Sequence, residues 1–169
     1  VEADVVFCFF GYNHSLRGED ALAGFEKDLA AMLDSMLAQK YNGESAPKVV
    51  VFSPIAHEDL QSPHLPDGKQ NNAKLKLYTE AMAKVCKDKG VTFVDLFTPS
   101  QKLYEESGQP LTMNGIHLLE SGNRAICRNC ARRFSTATCI GSVATESSMA
   151  TTSTAVVPSW PGTDSPTPT

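Results

Sequence analysis

The chain has no hydrophobic run near the ~20 residues that a membrane-spanning helix needs. Its longest apolar stretch is Val5 to Phe10, so no membrane span is expected. Basic charge is not in excess either: 15 Lys and Arg stand against 19 Asp and Glu, a net charge of −4. The two signs are interspersed through the body, and no basic patch points to a nucleic-acid partner. A disulfide framework is also lacking, because the five cysteines are odd in number and irregular in spacing. Cys8 and Cys86 fall in apolar periodic segments and read as small buried hydrophobes. Cys127 and Cys130 make a lone C-x-x-C without the second ligand pair that zinc requires. No His or carboxylate cluster has metal-ligand spacing, so neither metal nor cofactor is expected. No signal peptide is visible. The chain opens on Val1 rather than Met, which leads us to expect residues upstream.

What is present suits one domain of ordinary size: 169 residues, 41% of them hydrophobic. From the start to about residue 126 the pattern alternates between strand and helix. Val5 to Phe10 is a continuous β-rich run, expected to be a strand covered on both faces. Between Glu19 and Lys40, Leu22, Phe25, Leu29, Met32, Leu33, Met36 and Leu37 recur at helical spacing. Asn42-Gly43 ends that helix, and Pro47 precedes a second strand at Val49 to Phe52. Ser53 to Gly68 holds three prolines and reads as a long loop of the kind that carries function. A second helix follows, with Leu75, Tyr78, Met82 and Val85 on one face and Gly90 as its stop. Val91 to Phe97 reads as a third strand, Pro99 to Glu106 as a short helix, and a last helix opens at Leu118.

Strands separated by helices imply an α/β fold, a parallel sheet with helices on both faces. Three strands are few for such a domain, so the first one or two are expected to lie outside this chain. The tail, residues 127–169, is different material. From Ser135 to Thr169, 16 of 35 residues are Ser or Thr, and no Lys follows Lys102. It reads as a disordered or O-glycosylated linker, or as the product of a shifted reading frame. The second reading is preferred, because the sequence after Ser121-Gly122-Asn123-Arg124 loses the amphipathic pattern a continuing helix would keep.

Two short islands carry the chemistry. Gly11-Tyr12-Asn13 directly follows the first strand, and ligands of parallel sheets bind outside the carboxyl ends of the strands. Gly11 permits a sharp turn there, and the Asn13 amide is a neutral donor suited to an oxyanion. The bland alternative is that Asn13 caps a turn. The second island is Asn114-Gly115-Ile116-His117. His117 is suited to act as general base, and Asn114, three residues earlier, is expected to share its face in a helical turn. Asn can accept from the ring but supplies no charge to a developing imidazolium. His57 and Glu58 open the long loop and are candidates for binding substrate, or for Glu58 to assist His117. Ser15 and Ser53 are the nearest serines, but neither lies in Gly-x-Ser-x-Gly or Gly-Asp-Ser, so no nucleophile is assigned within the chain.

Order, context and spacing of the islands match two of the four sequence blocks of the SGNH (GDSL-like) hydrolases. The resemblance extends over roughly residues 3–126, through Phe9-Phe10-Gly11-Tyr12-Asn13, Phe52-Ser53-Pro54-Ile55-Ala56-His57-Glu58, Val94-Asp95-Leu96-Phe97 and Leu111-Thr112-Met113-Asn114-Gly115-Ile116-His117-Leu118. These segments are most similar to the SGNH-type domains of planctomycete proteins, in which Asn at the position of Asn114 is common. The resemblance implies a three-layer αβα, flavodoxin-like fold and hydrolysis of a carboxylic ester, on a small molecule or an acylated carbohydrate. It implies His117 as base, Asn114 as its partner, Asn13 with Gly11 at the oxyanion, and an exported or periplasmic parent protein. His14 stands where the wider family often has an acid. The nucleophilic Ser would come from an upstream part of the same parent protein, leaving this fragment inactive alone. The rival reading is a non-catalytic flavodoxin-like module that binds a small molecule or carbohydrate at the same crevice.

Overall fold

The structure, a computed structural model, describes residues 2–128. The remainder of the Ser/Thr-rich tail and Cys130 lie outside the described residues. Three strands, β1 (Val5–Phe9), β2 (Lys48–Phe52) and β3 (Thr92–Val94), form one sheet in the order β1-β2-β3. Both pairings are parallel, with Val5 opposite Lys48, Phe9 opposite Phe52, and Phe52 also opposite Val94. Between them run α1 (Tyr12–Ser15), a 3-10 turn at Glu19–Ala21, α2 (Leu22–Leu37) and α3 (Lys69–Asp88). After β3 come α4 (Phe97–Glu106) and a helix α5, described over residues 120–128.

The period-2 alternation of β2 decides the layers. Val49 and Val51 face one side, packing with Phe25, Leu29 and Leu33 of α2 and Tyr78, Met82, Val85 and Cys86 of α3. Val50 and Phe52 face the other, with Val94, Leu96, Leu103 of α4 and Ile126 of α5. This is the α/β sandwich that the sequence leads one to expect. Tyr78 is fully buried, and its hydroxyl donates to the Gly18 carbonyl at 2.9 Å, satisfying the phenol inside the core.

Three expectations change in detail. Among the described residues β1 is not covered on both faces: Val6 and Cys8 pack toward α2 and α3, but Val5, Phe7 and Phe9 are 46%, 54% and 64% exposed. Among the described residues, α4 and α5 lie over β2 and β3, and β1 is an edge strand whose second face is met only in part. There Phe9 stacks on Phe52 at 4.2 Å and Phe7 meets the same ring edge-on at 5.5 Å. The third strand is shorter than its sequence suggests because Asp95 turns the chain, its carboxylate accepting from the Thr98 N–H at 3.1 Å. The segment around His117 is not helical, and α5 begins at residue 120.

Candidate active site

The first island leaves the carboxyl end of β1 and turns at once into α1. Gly11 has φ of +111°, and a Cβ there would lie 3.1 Å from Met82 Sδ and 3.3 Å from Pro54 Cδ. The left-handed backbone favours glycine, and the space around it is tight. Its carbonyl accepts from the Ser15 N–H at 3.0 Å, closing a single helical turn. Asn13 is exposed on this turn, and its side chain makes no hydrogen bond among the described residues. The amide is therefore not consumed as a turn cap. Among the described residues His14 has no charged partner, and its ring lies against Phe25 at 5.2 Å.

The second island sits on a closed loop rather than a helix. Thr112 and Leu118 form an antiparallel bridge, with Met113 N–H donating to His117 O at 2.8 Å and Leu119 N–H to Leu111 O at 2.9 Å. Within the loop, Asn114 Oδ1 accepts from the backbone N–H of Ile116 at 3.3 Å and of His117 at 3.0 Å. Two backbone donors can meet only an oxygen, so the amide orientation is fixed by the main chain. The same Oδ1 lies 3.1 Å from Nδ1 of His117. Nδ1 must then carry the hydrogen, which leaves Nε2 of this exposed ring as the free lone pair. Asn114 and His117 meet through an Asx-type turn instead of through helical spacing.

His57 and Glu58 lie between the two islands, buried at 3% and 5% exposure. Nδ1 of His57 is 3.2 Å from the Tyr12 hydroxyl and 3.1 Å from Asn71 Nδ2. The Glu58 carboxylate accepts from the Leu111 N–H at 2.9 Å, the Thr112 N–H at 2.6 Å and the Thr112 hydroxyl. Glu58 is thus fully engaged inside the protein, whereas His57 Nε2 is buried without a hydrogen-bond partner among the described residues. Tyr12, Thr112, Asn71 and Asn72 were not singled out by the sequence. Tyr12 lies inside the first island and Thr112 two residues before Asn114, which is the only mark they carry. Burial pushes the Tyr12 phenol above its ordinary pKa, with a hydrogen bond to Asn71 opposing.

The serines near these strands are occupied. Ser53 Oγ accepts from the N–H groups of Leu96 and Phe97 at 2.8 and 3.0 Å and donates to Pro54 O, so it ties the start of α4 to β2. Ser15 Oγ donates to Tyr12 O at 2.6 Å and is 1% exposed. A polar cleft of about 580 Å³ opens on the outer side of the His57–Glu58 pair, among Asp59, Gln61, Lys69, Gln101 and Glu105. Asn13, Asn114 and His117 do not line it. No group of three or more His, Cys, Asp or Glu among the described residues could hold a metal ion. No described helix is long and apolar enough to cross a membrane.

The model of the GDSL-like Lipase/Acylhydrolase family matches residues 1–125. The chain belongs to that family. Among named relatives, the GDSL esterase/lipase WDL1 of Oryza sativa subsp. japonica is 27% identical over 140 residues, covering 78% of this chain and 54% of the relative. The GDSL esterase/lipase CPRD49 of Arabidopsis thaliana is 28% identical over 134 residues, covering 75% and 52%. The GDSL-like chain therefore spans about half the length of these relatives. Among solved structures, a catalytic mutant of Axe2, an acetylxylan esterase from Geobacillus stearothermophilus, aligns with a TM-score of 0.58 at 15% identity. That alignment covers 76% of this chain and 58% of the esterase, and it shows a shared fold.

Proposed function

We propose that this chain carries the general-base and oxyanion half of a serine-type ester hydrolase. The observation that supports it most is the 3.1 Å contact from Asn114 Oδ1 to His117 Nδ1, with the oxygen oriented by two backbone donors. With the hydrogen held on Nδ1, Nε2 takes the proton of a serine hydroxyl as its oxygen attacks the ester carbonyl. The carbonyl oxygen gains the electron pair, and the Asn13 amide donates a hydrogen bond to it. Collapse of the tetrahedral intermediate expels the alcohol, which takes the proton back from His117. Water then attacks the acyl-enzyme, giving its proton to His117, which returns it to the serine oxygen as the acyl–oxygen bond breaks and the carboxylic acid leaves. Asn114 fixes the tautomer without adding charge, so the imidazolium is stabilised less than a carboxylate would stabilise it.

The nucleophile in this reading lies outside the chain, in an upstream part of the parent protein. The commitment of the Ser15 and Ser53 hydroxyls to main-chain partners favours that assignment. An acylated carbohydrate is the proposed substrate class, in keeping with the fold shared with an acetylxylan esterase. Kinship with planctomycete-type domains, a frame change after about residue 126 and an exported parent are further parts of the proposal. The flanking nucleotide sequence tests them together.

The activity is tested on the product of the complete gene. A fluorophosphonate probe is expected to label one serine there and to leave the purified 169-residue chain unlabelled. Asn13→Ala is expected to lower kcat by about 100-fold with KM little changed. Stoichiometric labelling of the chain alone, or unaltered turnover in Asn13→Ala, overturns the reading. Saturable binding of an acetylated sugar without turnover would replace it by a binding module.

A further inference from the structure

We infer that the His57–Glu58 dipeptide is a positioning clamp that holds the loop of Asn114 and His117 to the Gly11–Asn13 turn. Glu58 is 5% exposed and has no cationic partner among the described residues. A buried carboxylate is costly unless donors surround it. All its donors belong to one short segment: the N–H groups of Leu111 and Thr112 and the Thr112 hydroxyl. The carboxylate is therefore compensated only when that segment is docked. The grip continues along the loop. Thr112 Oγ1 also accepts from the Gly115 N–H at 2.9 Å, and the Glu58 N–H donates to the Gly115 carbonyl at 2.9 Å. Asn114 is held between these two points.

His57 ties the same dipeptide to the first island. Its Nδ1 edge meets the Tyr12 hydroxyl, while its ring fills the space that a Cβ on Gly68 or on Gly115 would occupy. Both glycines have positive φ, +74° and +86°, so backbone and ring shape each other. The His57 main chain is fixed from α3: its N–H donates to Asn72 Oδ1 at 2.7 Å, and Asn72 Nδ2 donates to its carbonyl at 2.8 Å. One dipeptide thus touches α3, the Tyr12 turn and the His117 loop. The Glu58 carboxylate serves the Leu111 and Thr112 main chain and the Thr112 hydroxyl. His57 serves the Tyr12, Asn71 and Asn72 side chains, and its Nε2 is buried without a hydrogen-bond partner among the described residues. The dipeptide bears on catalysis through His117, and in that respect rests on the base role proposed above.

The test uses amide hydrogen exchange on the chain and steady-state kinetics on the complete gene product. In Thr112→Val, which deletes the shared hydroxyl, exchange at Thr112 and Gly115 should quicken by at least about tenfold. Glu58→Ala should extend this to Leu111, while Val50 and Val51 in β2 stay protected. In the complete protein, kcat should fall at least about tenfold with KM within about twofold, and Glu58→Gln should recover part of the loss. Should Glu58→Ala fail to fold, Thr112→Val decides. Unchanged exchange in Thr112→Val overturns the clamp. Faster exchange with unchanged kcat overturns the positioning role, and His117→Ala then shows separately whether the base assignment also fails.

Discussion

The α2–sheet–α3 core and the cluster at the carboxyl ends of the strands are held together by opposite means. In the core, Leu33, Tyr78, Met82 and Val51 are fully buried and the gain is apolar area removed from water. At the strand ends, Glu58, Thr112, His57 and Ser53 are also buried, yet each is held through hydrogen bonds to backbone or amide groups. Apolar packing tolerates exchange of similar shapes. A polar cluster does not, because removing one partner strands another. Substitutions in the first region should therefore act on stability, and those among the exposed groups near the second on turnover.

The sharpest separation is His117→Ala. The ring is exposed on its loop, so its loss should leave the melting temperature nearly unchanged. Turnover of the complete gene product should drop by about 10³–10⁴-fold, measured by ester hydrolysis. Leu33→Ala is the converse. Leu33 is fully buried between helix and sheet, and its truncation should cost about 3 kcal/mol by urea denaturation. Among the molecules still folded, the Asn114–His117 pair should be unaltered.

A smaller effect belongs to alkaline pH. Burial, with the Cys8 thiol nearby, pushes Cys86 from its ordinary value of 9.0 up to about 12. The folded state thus holds this proton more tightly than the unfolded chain. Its contribution to stability is complete below about pH 9 and is lost as pH rises through about 12. Urea midpoints between pH 8 and 11 should fall, and Cys86→Ala should flatten that slope. An equal slope in the variant would place the alkaline sensitivity elsewhere.

The core was legible in the sequence because its forces are periodic. Leu22, Phe25, Leu29 and Leu33 repeat at helical spacing, and β2 reads as a strand from four apolar residues. Gly11 and Asn13 were legible because a glycine at a strand end constrains the backbone locally. Asn114 and His117 were found by proximity, although the turn that joins them is not the helical one their spacing suggests. Glu58 was visible only as a loop acid, since its donors are main-chain N–H groups 53 and 54 residues away, and backbone donors leave no mark in a sequence. The exposed face of β1 was hidden for a related reason: Val5, Phe7 and Phe9 are apolar whether or not anything covers them.

The central claim is that Asn114 holds the hydrogen of His117 on Nδ1 and frees Nε2 to act as base. Long-range ¹H–¹⁵N correlation of the histidine rings, recorded on the chain at a pH where His117 is neutral, reads this directly. A protonated Nδ1 and an unprotonated Nε2 are expected for His117, with the pattern lost in Asn114→Ala. A neutral His117 that carries its hydrogen on Nε2 would contradict it.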